Sequence, residues 1–185
     1  VTKQVVCASN LKQVSVGFTL YSSENSEWMP SVVTEGVTAQ WRNANRYYLG
    51  SYLGWDGVNY SNSMSAVHTC PSLKNPINNS FRDAGTGYNI YFGTDRYPSW
   101  PRKKVHEIDL PDETVVSGDG TDWVSEHAYN TLFNPSENLS GGSVGLRHKK
   151  GINVLWADGH VDYTSQAKLM TGKDGDIDYY YKLSK

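Results

Sequence analysis

Along residues 2–23 the apolar positions Cys7, Leu11, Val14, Phe18 and Tyr21 recur at spacings of four, three, four and three. That rhythm places them along one stripe of a helix. Lys3, Asn10, Lys12 and Gln13 fall largely elsewhere around it, and Glu24-Asn25 followed by Pro30 end it. The pattern predicts a long helix packed against a sheet, with a partner-binding helix as the alternative. Downstream, Trp41, Tyr47, Tyr48, Leu49, Tyr52, Leu53 and Trp55 predict a second short helix near 41–53, closed by Gly54. "VHTCPSLKN" reads as a short strand ending at Cys70-Pro71, and "GTGYNIYFG" (85–93) alternates as a strand. "DETVVSGDG" predicts a strand over 114–117 stopped by Gly118-Asp119-Gly120, and 121–146 reads as irregular. The clearest pattern comes last. "GINVLWA", Asp158-Gly159 and "HVDYTS" form a β-hairpin, which Asp-Gly predicts to be a two-residue type I′ turn. Ile152, Val154 and Trp156 share one strand face, and Val161 and Tyr163 share one face of the return strand. A short helix near 165–171 and a tyrosine-rich tail complete the chain.

Composition narrows this picture. The 185 residues suit one domain, and thirteen Tyr, six Trp and seventeen Gly favour a β-rich, turn-rich structure. A net charge of −2 without a long run of either sign argues against sequence-independent nucleic-acid binding, which needs a concentrated basic face. No stretch approaches the roughly 20 apolar residues that span a bilayer. The opening "VTKQVVCASNLKQ", without Met, reads as an interior segment of a longer protein. Cys7 and Cys70 fit either one disulfide or two buried thiols, and spacing does not separate the two.

Several constellations carry candidate chemistry. His148, Asp158 and His160 look like metal ligands or an acid/base pair. Yet a strand rise of about 3.3 Å per residue sets His148 some 25 Å from the hairpin tip, so one ion cannot hold both ends. Hydrogen-bonding roles at turns are the expected ones. Asp174, Asp176 and Asp178 resemble the start of a calcium loop, although an EF-hand is excluded because Tyr179 stands where its glycine belongs. Asp119 and Asp122 in "SGDGTDW" form a weaker calcium candidate. No nucleophile elbow is present, and the only sequence-near partner for Cys70 is His68. Trp41 and Trp55 provide stacking surfaces for sugars, the alternative reading being a carbohydrate- or ligand-binding module.

Three separated pieces, in order, carry a resemblance. "CASNLKQ" (7–13), "CPS" (70–72), and His148 followed nine residues later by Asp158-Gly159 resemble bacterial type II secretion pseudopilin-like proteins with a prepilin-type cleavage and methylation signal. "GYNIYFG" (87–93) and "VVSGDG" (115–120) fit the strands between the second and third motifs. The resemblance implies a single α+β pilin-like domain over 1–185. Residues 1–24 would be the C-terminal half of the pilin helix, and 25–185 a head built on an antiparallel sheet with long inserted loops. It implies a non-enzymatic subunit of a fibre, partnered by other pseudopilins. An upstream helix would anchor it in the inner membrane on the extracytoplasmic side. It also implies a Cys7–Cys70 disulfide, lends some support to calcium near Asp174, Asp176 and Asp178, and assigns His148, Asp158 and Gly159 to a structural motif.

Overall fold

The chain folds as α+β: a helix laid across an antiparallel sheet. A computed structural model describes residues 2–31, 49, 51–53, 67, 70–72, 86–93, 101–121, 131–132, 143–144, 147–149 and 151–184. Helix α1 spans Lys3–Glu24, close to its predicted span. Thr2, in extended conformation, caps it by accepting from the Val5 N–H, and the Asn25 N–H closes its last turn on Tyr21 and Ser22 carbonyls. The predicted stripe of Cys7, Leu11, Val14, Phe18 and Tyr21 is buried.

The sheet is built from strands β1 (Thr86–Asn89), β2 (Val115–Thr121), β3 (Thr131–Leu132), β4 (Ser143–Val144), β5 (Gly151–Trp156) and β6 (Val161–Ser165). β1, β2, β5 and β6 lie side by side and antiparallel, β3 runs parallel along β1, and β4 pairs with the end of β2. A short helix α2 (Gln166–Thr171), capped by Ser165, follows β6 as predicted.

Strand β5 is buried at all six positions, because both faces of the sheet are covered. On one side Leu155 and Val116 meet Leu11, Val14 and Phe18 of α1, with Tyr88 and Phe92 stacked beyond them. On the other side Ile152, Val154 and Trp156 pack with Val115, Leu169, Tyr180 and Tyr181. The tyrosine-rich tail is therefore the lid of a second core. The Val115 N–H donates to the Tyr180 carbonyl at 2.8 Å, and Asn89 Nδ2 donates to the carbonyls of Val115 and Tyr181 at 2.8 and 2.9 Å. Val115 faces the tail side and Val116 the helix side, and a β-bulge between Val115 and Ser117 shifts the register against β5 by one residue.

Three sequence expectations need correction. The hairpin loop has three residues: Leu155 pairs with Val161, the Trp156 N–H donates to the His160 carbonyl, and the Gly159 N–H reaches back to the Trp156 carbonyl. Of Asp158 and Gly159 only the glycine has positive φ, at 88°, whereas a type I′ turn needs both positive. The strand predicted to stop at 117 runs on through Gly118-Asp119-Gly120, because β1 and β5 hold it from both sides and Asp119 bonds inward. The strand predicted over 85–93 ends at Asn89, whose side-chain oxygen accepts the Tyr91 N–H and starts a 3-10 turn over Ile90–Phe92. Of the short helix near 41–53, only Leu49 and a 3-10 turn at Ser51–Leu53 fall among the described residues.

Leu11 is wholly buried between α1 and the sheet. Leu11→Ala is expected to cost about 2–5 kcal/mol, the range for a leucine truncated in a core that cannot collapse around it. Equilibrium urea unfolding measures it, and a loss below about 0.5 kcal/mol, the value for an exposed site, would contradict the packing described.

Candidate functional site

Four donor side chains from four distant segments converge beneath the first turns of α1. Cys7 stands about one turn into the helix, on its buried stripe. Asp119 lies near the end of β2, His148 just before β5, and Cys70 at the turn Cys70-Pro71-Ser72. Their ligand-type atoms all lie within 4.8 Å of one another, and all four residues are buried, with exposures from 0% for Asp119 to 4% for His148.

Local structure explains each placement. The His148 N–H and carbonyl exchange hydrogen bonds with Gly151 at 3.1 Å each, a bridge that starts the β5 ladder. Tyr163 of β6 donates its hydroxyl to the His148 carbonyl at 2.8 Å. This requires glycine at 151: a Cβ there would stand 2.6 Å from the Tyr163 ring and 2.5 Å from the Thr164 carbonyl oxygen. Asp119 is fixed by the Asn153 N–H, which donates to Oδ2 at 3.3 Å, and Asn153 in turn donates from Nδ2 to the Gln4 carbonyl of α1 at 3.0 Å.

Within the cluster, His148 Nε2 lies 3.4 Å from Asp119 Oδ2 and 3.5 Å from Cys70 Sγ. Cys7 Sγ lies 3.5 Å from Asp119 Oδ1, so the carboxylate faces the histidine with one oxygen and the thiol with the other. His148 Nδ1 faces Ser72 Oγ at 3.4 Å, and the Arg147 guanidinium approaches Asp119 Oδ1 at 3.9 Å. The neighbouring carboxylate raises the His148 pKa above the ordinary imidazole value. The two thiols are coupled. Cys7 keeps its proton, held by donation to Cys70, by burial and by the Asp119 charge, while Cys70, accepting that hydrogen bond, is drawn down to about 7. A thiolate, an imidazole and a carboxylate in one dry cluster can bind a soft cation, and the two sulfurs can alternatively be oxidised to a disulfide.

The remaining sequence candidates fall elsewhere. His148 and Asp158 occupy opposite ends of the hairpin. Asp158 Oδ1 accepts from the His160 N–H at 2.9 Å and lies 2.6 Å from its Nδ1, the turn-forming role expected of it. The Gly159 carbonyl accepts from Lys12 Nζ at 2.8 Å and Ser15 Oγ at 3.1 Å, so the Asp-Gly tip docks on α1. Cys7 and Cys70 sit side by side as free thiols. Asp174, Asp176 and Asp178 do not converge: among the described residues the four-donor cluster is the one such group. Asp176 is taken up by Lys182, 2.7 and 2.9 Å from its two oxygens, and by the Asp178 N–H. Trp41, Trp55, His68 and Asp122 lie outside the described residues.

Sequence reasoning set Cys7 beside Cys70 but missed the whole cluster, because it otherwise paired each residue with its sequence neighbours: His68 with Cys70, Asp122 with Asp119, His160 with His148. The available signal was that "CASNLKQ", "CPS", "SGDG" and the His148 motif each contain one metal-donor residue that converges here. No protein-family model, curated protein or solved structure matches this chain.

Asp119→Ala is expected to cost about 3–5 kcal/mol, because it takes the carboxylate away from buried His148 and from the Arg147 guanidinium. Asp119→Asn, which keeps the shape and one acceptor oxygen, should cost less. Thermal or urea unfolding of the two variants checks the order, and equal stability of wild type and Asp119→Ala would refute the buried arrangement.

Proposed function

We propose that this chain is the head of a pseudopilin-like subunit, working in a type II secretion or type IV pilus-like assembly by subunit packing rather than by catalysis. The observation that carries this reading is the second face of α1. While Cys7 to Tyr21 bury one side, Val5, Val16 and Leu20 stand 56%, 53% and 41% exposed on another. Val5 and Val16 are eleven residues apart, about three helical turns, so they point the same way, and Leu20 lies roughly one turn further on. Apolar positions on the outside of a helix already packed on its own sheet, sharing that face with Ser9 and Lys12, suit contact with a like helix. The helix-on-antiparallel-sheet architecture is the one the pilin resemblance implies. Membrane anchoring in this reading belongs to a segment upstream, since no helix among the described residues is long and apolar enough to cross a membrane.

The four-donor cluster is closed to solvent. A cleft of about 130 Å³ between α1 and the hairpin, lined by Ser15, Phe18, Val116, Leu155, Trp156 and Gly159 among others, carries no titratable side chain and falls short of the roughly 300 Å³ of an ordinary ligand pocket.

Two measurements test the proposal. The coding sequence immediately upstream is expected to specify a short basic leader and about 20 apolar residues, whereas a conventional cleaved signal peptide sinks the assembly reading. Val16→Glu should leave the melting of the isolated head within about 0.5 kcal/mol of wild type while abolishing chemically cross-linked oligomers of the membrane-anchored protein. Unchanged cross-linking would count against packing through this face.

A further inference from the structure

We propose that Cys7, Cys70, Asp119 and His148 form a closed tetrahedral binding site for one Zn²⁺ ion. The donor chemistry fits: two sulfurs, one imidazole and one carboxylate are zinc ligands, and two thiolates select against calcium and magnesium, which take oxygen.

The spacing fits as well. With Zn–S near 2.3 Å, Zn–N about 2.0–2.1 Å and Zn–O about 2.0–2.2 Å, the edges of a tetrahedron come to roughly 3.4 Å between nitrogen and oxygen and about 3.6 Å between sulfur and either. The separations are 3.4 Å for His148 Nε2 to Asp119 Oδ2 and 3.5 Å for Cys70 Sγ to His148 Nε2, with Cys7 Sγ 3.5 Å from the other carboxylate oxygen, Oδ1. A charge-assisted N–H···O hydrogen bond would draw the first pair to about 2.7–2.9 Å. The two separations from His148 Nε2 match such edges, and all four ligand atoms lie within 4.8 Å of one another.

The surroundings serve the same end. Two thiolates and a carboxylate around Zn²⁺ leave one negative charge, which the Arg147 guanidinium, 3.9 Å from Asp119 and 7% exposed, offsets. Ser72 Oγ faces the second ring nitrogen of His148, and the Asn153 N–H holds Asp119, the kind of outer partners that orient metal ligands. With four protein donors and no solvent access the site is structural, and it ties the start of α1 to the sheet and to the Cys70 turn. A disulfide is the rival state of the same two sulfurs. It would use neither Asp119 nor His148, whereas a zinc ion takes all four donors.

The test uses the 185-residue chain, reduced and equilibrated with Zn²⁺ or, separately, Co²⁺. Elemental analysis should find about one zinc per chain. Co²⁺ should give the intense visible bands of a tetrahedral ion together with a sulfur-to-cobalt charge-transfer band. Cys70→Ser and His148→Gln should each weaken Zn²⁺ binding by at least about 100-fold, beyond the loss typical of an outer partner. Should either variant fail to fold, the wild-type cobalt spectrum still decides. The proposal is overturned by a reduced, folded chain that takes up no zinc, by an octahedral cobalt spectrum lacking the sulfur band, or by wild-type affinity in a folded His148→Gln. Native protein lighter by two hydrogens, whose reduced form also refuses zinc, overturns it in favour of the disulfide.

Discussion

The docking of α1 onto the sheet is the contact on which the rest of this fold depends. It is made by one apolar stripe and by polar clamps from a single hairpin. The stripe sets the rotation of the helix, since only one side carries Leu11, Val14 and Phe18. The clamps set its position along the strands: Asn153 reaches the Gln4 carbonyl near the first turn, and the Gly159 carbonyl receives Lys12 and Ser15 further along. The helix therefore runs parallel to β5, and Cys7 falls where Asp119 and His148 lie.

Covering the sheet on both sides has a chemical consequence for its polar residues. A strand with one wet face can turn its polar groups to water, but β5 and the middle of β2 cannot. Asn153, Ser117 and Asp119 are accordingly buried, and each is satisfied by backbone: Ser117 by the Gly87 carbonyl at 2.7 Å, Asn153 by Gln4, and Asp119 by the Asn153 N–H. Polar positions in this sheet report tertiary contacts. The Asp119 carboxylate is the extreme case, being charged, central and flanked by Arg147 and His148.

What could be read from the chain follows from the range of the forces involved. The helix was legible because its period is local and its burial one-sided, and α2 was legible from Ser165 and the pattern after it. The hairpin was legible in place but not in loop type: Asp-Gly satisfies both a type I′ turn and a three-residue turn ending in a left-handed glycine. Gly118-Asp119-Gly120 resembles a turn from within its own segment. Only the flanking strands make it extended, and β1 lies some thirty residues before it and β5 as far after. The same distance hid the cluster, whose members stand at 7, 70, 119 and 148. The two-sided burial of β5 was likewise invisible, because the tail that covers Ile152 and Trp156 looks polar until Tyr180 and Tyr181 turn inward.

The nine residues between His148 and Asp158 act as a gauge of length. At one end the His148 ring joins the cluster that holds Cys7, and at the other the Gly159 carbonyl meets Ser15, so the segment sets where both ends of the hairpin dock on the helix. Inserting or deleting a single residue would reverse which side chains face the helix, moving Leu155 and Asn153 to the opposite side. Adding or removing two would restore the alternation but shift the tip by about 6.6 Å, more than a helical turn, leaving Ser15 without its acceptor. Neither parity nor distance tolerates another count. The spacing thus fixes two docking points on the helix from a different part of the chain.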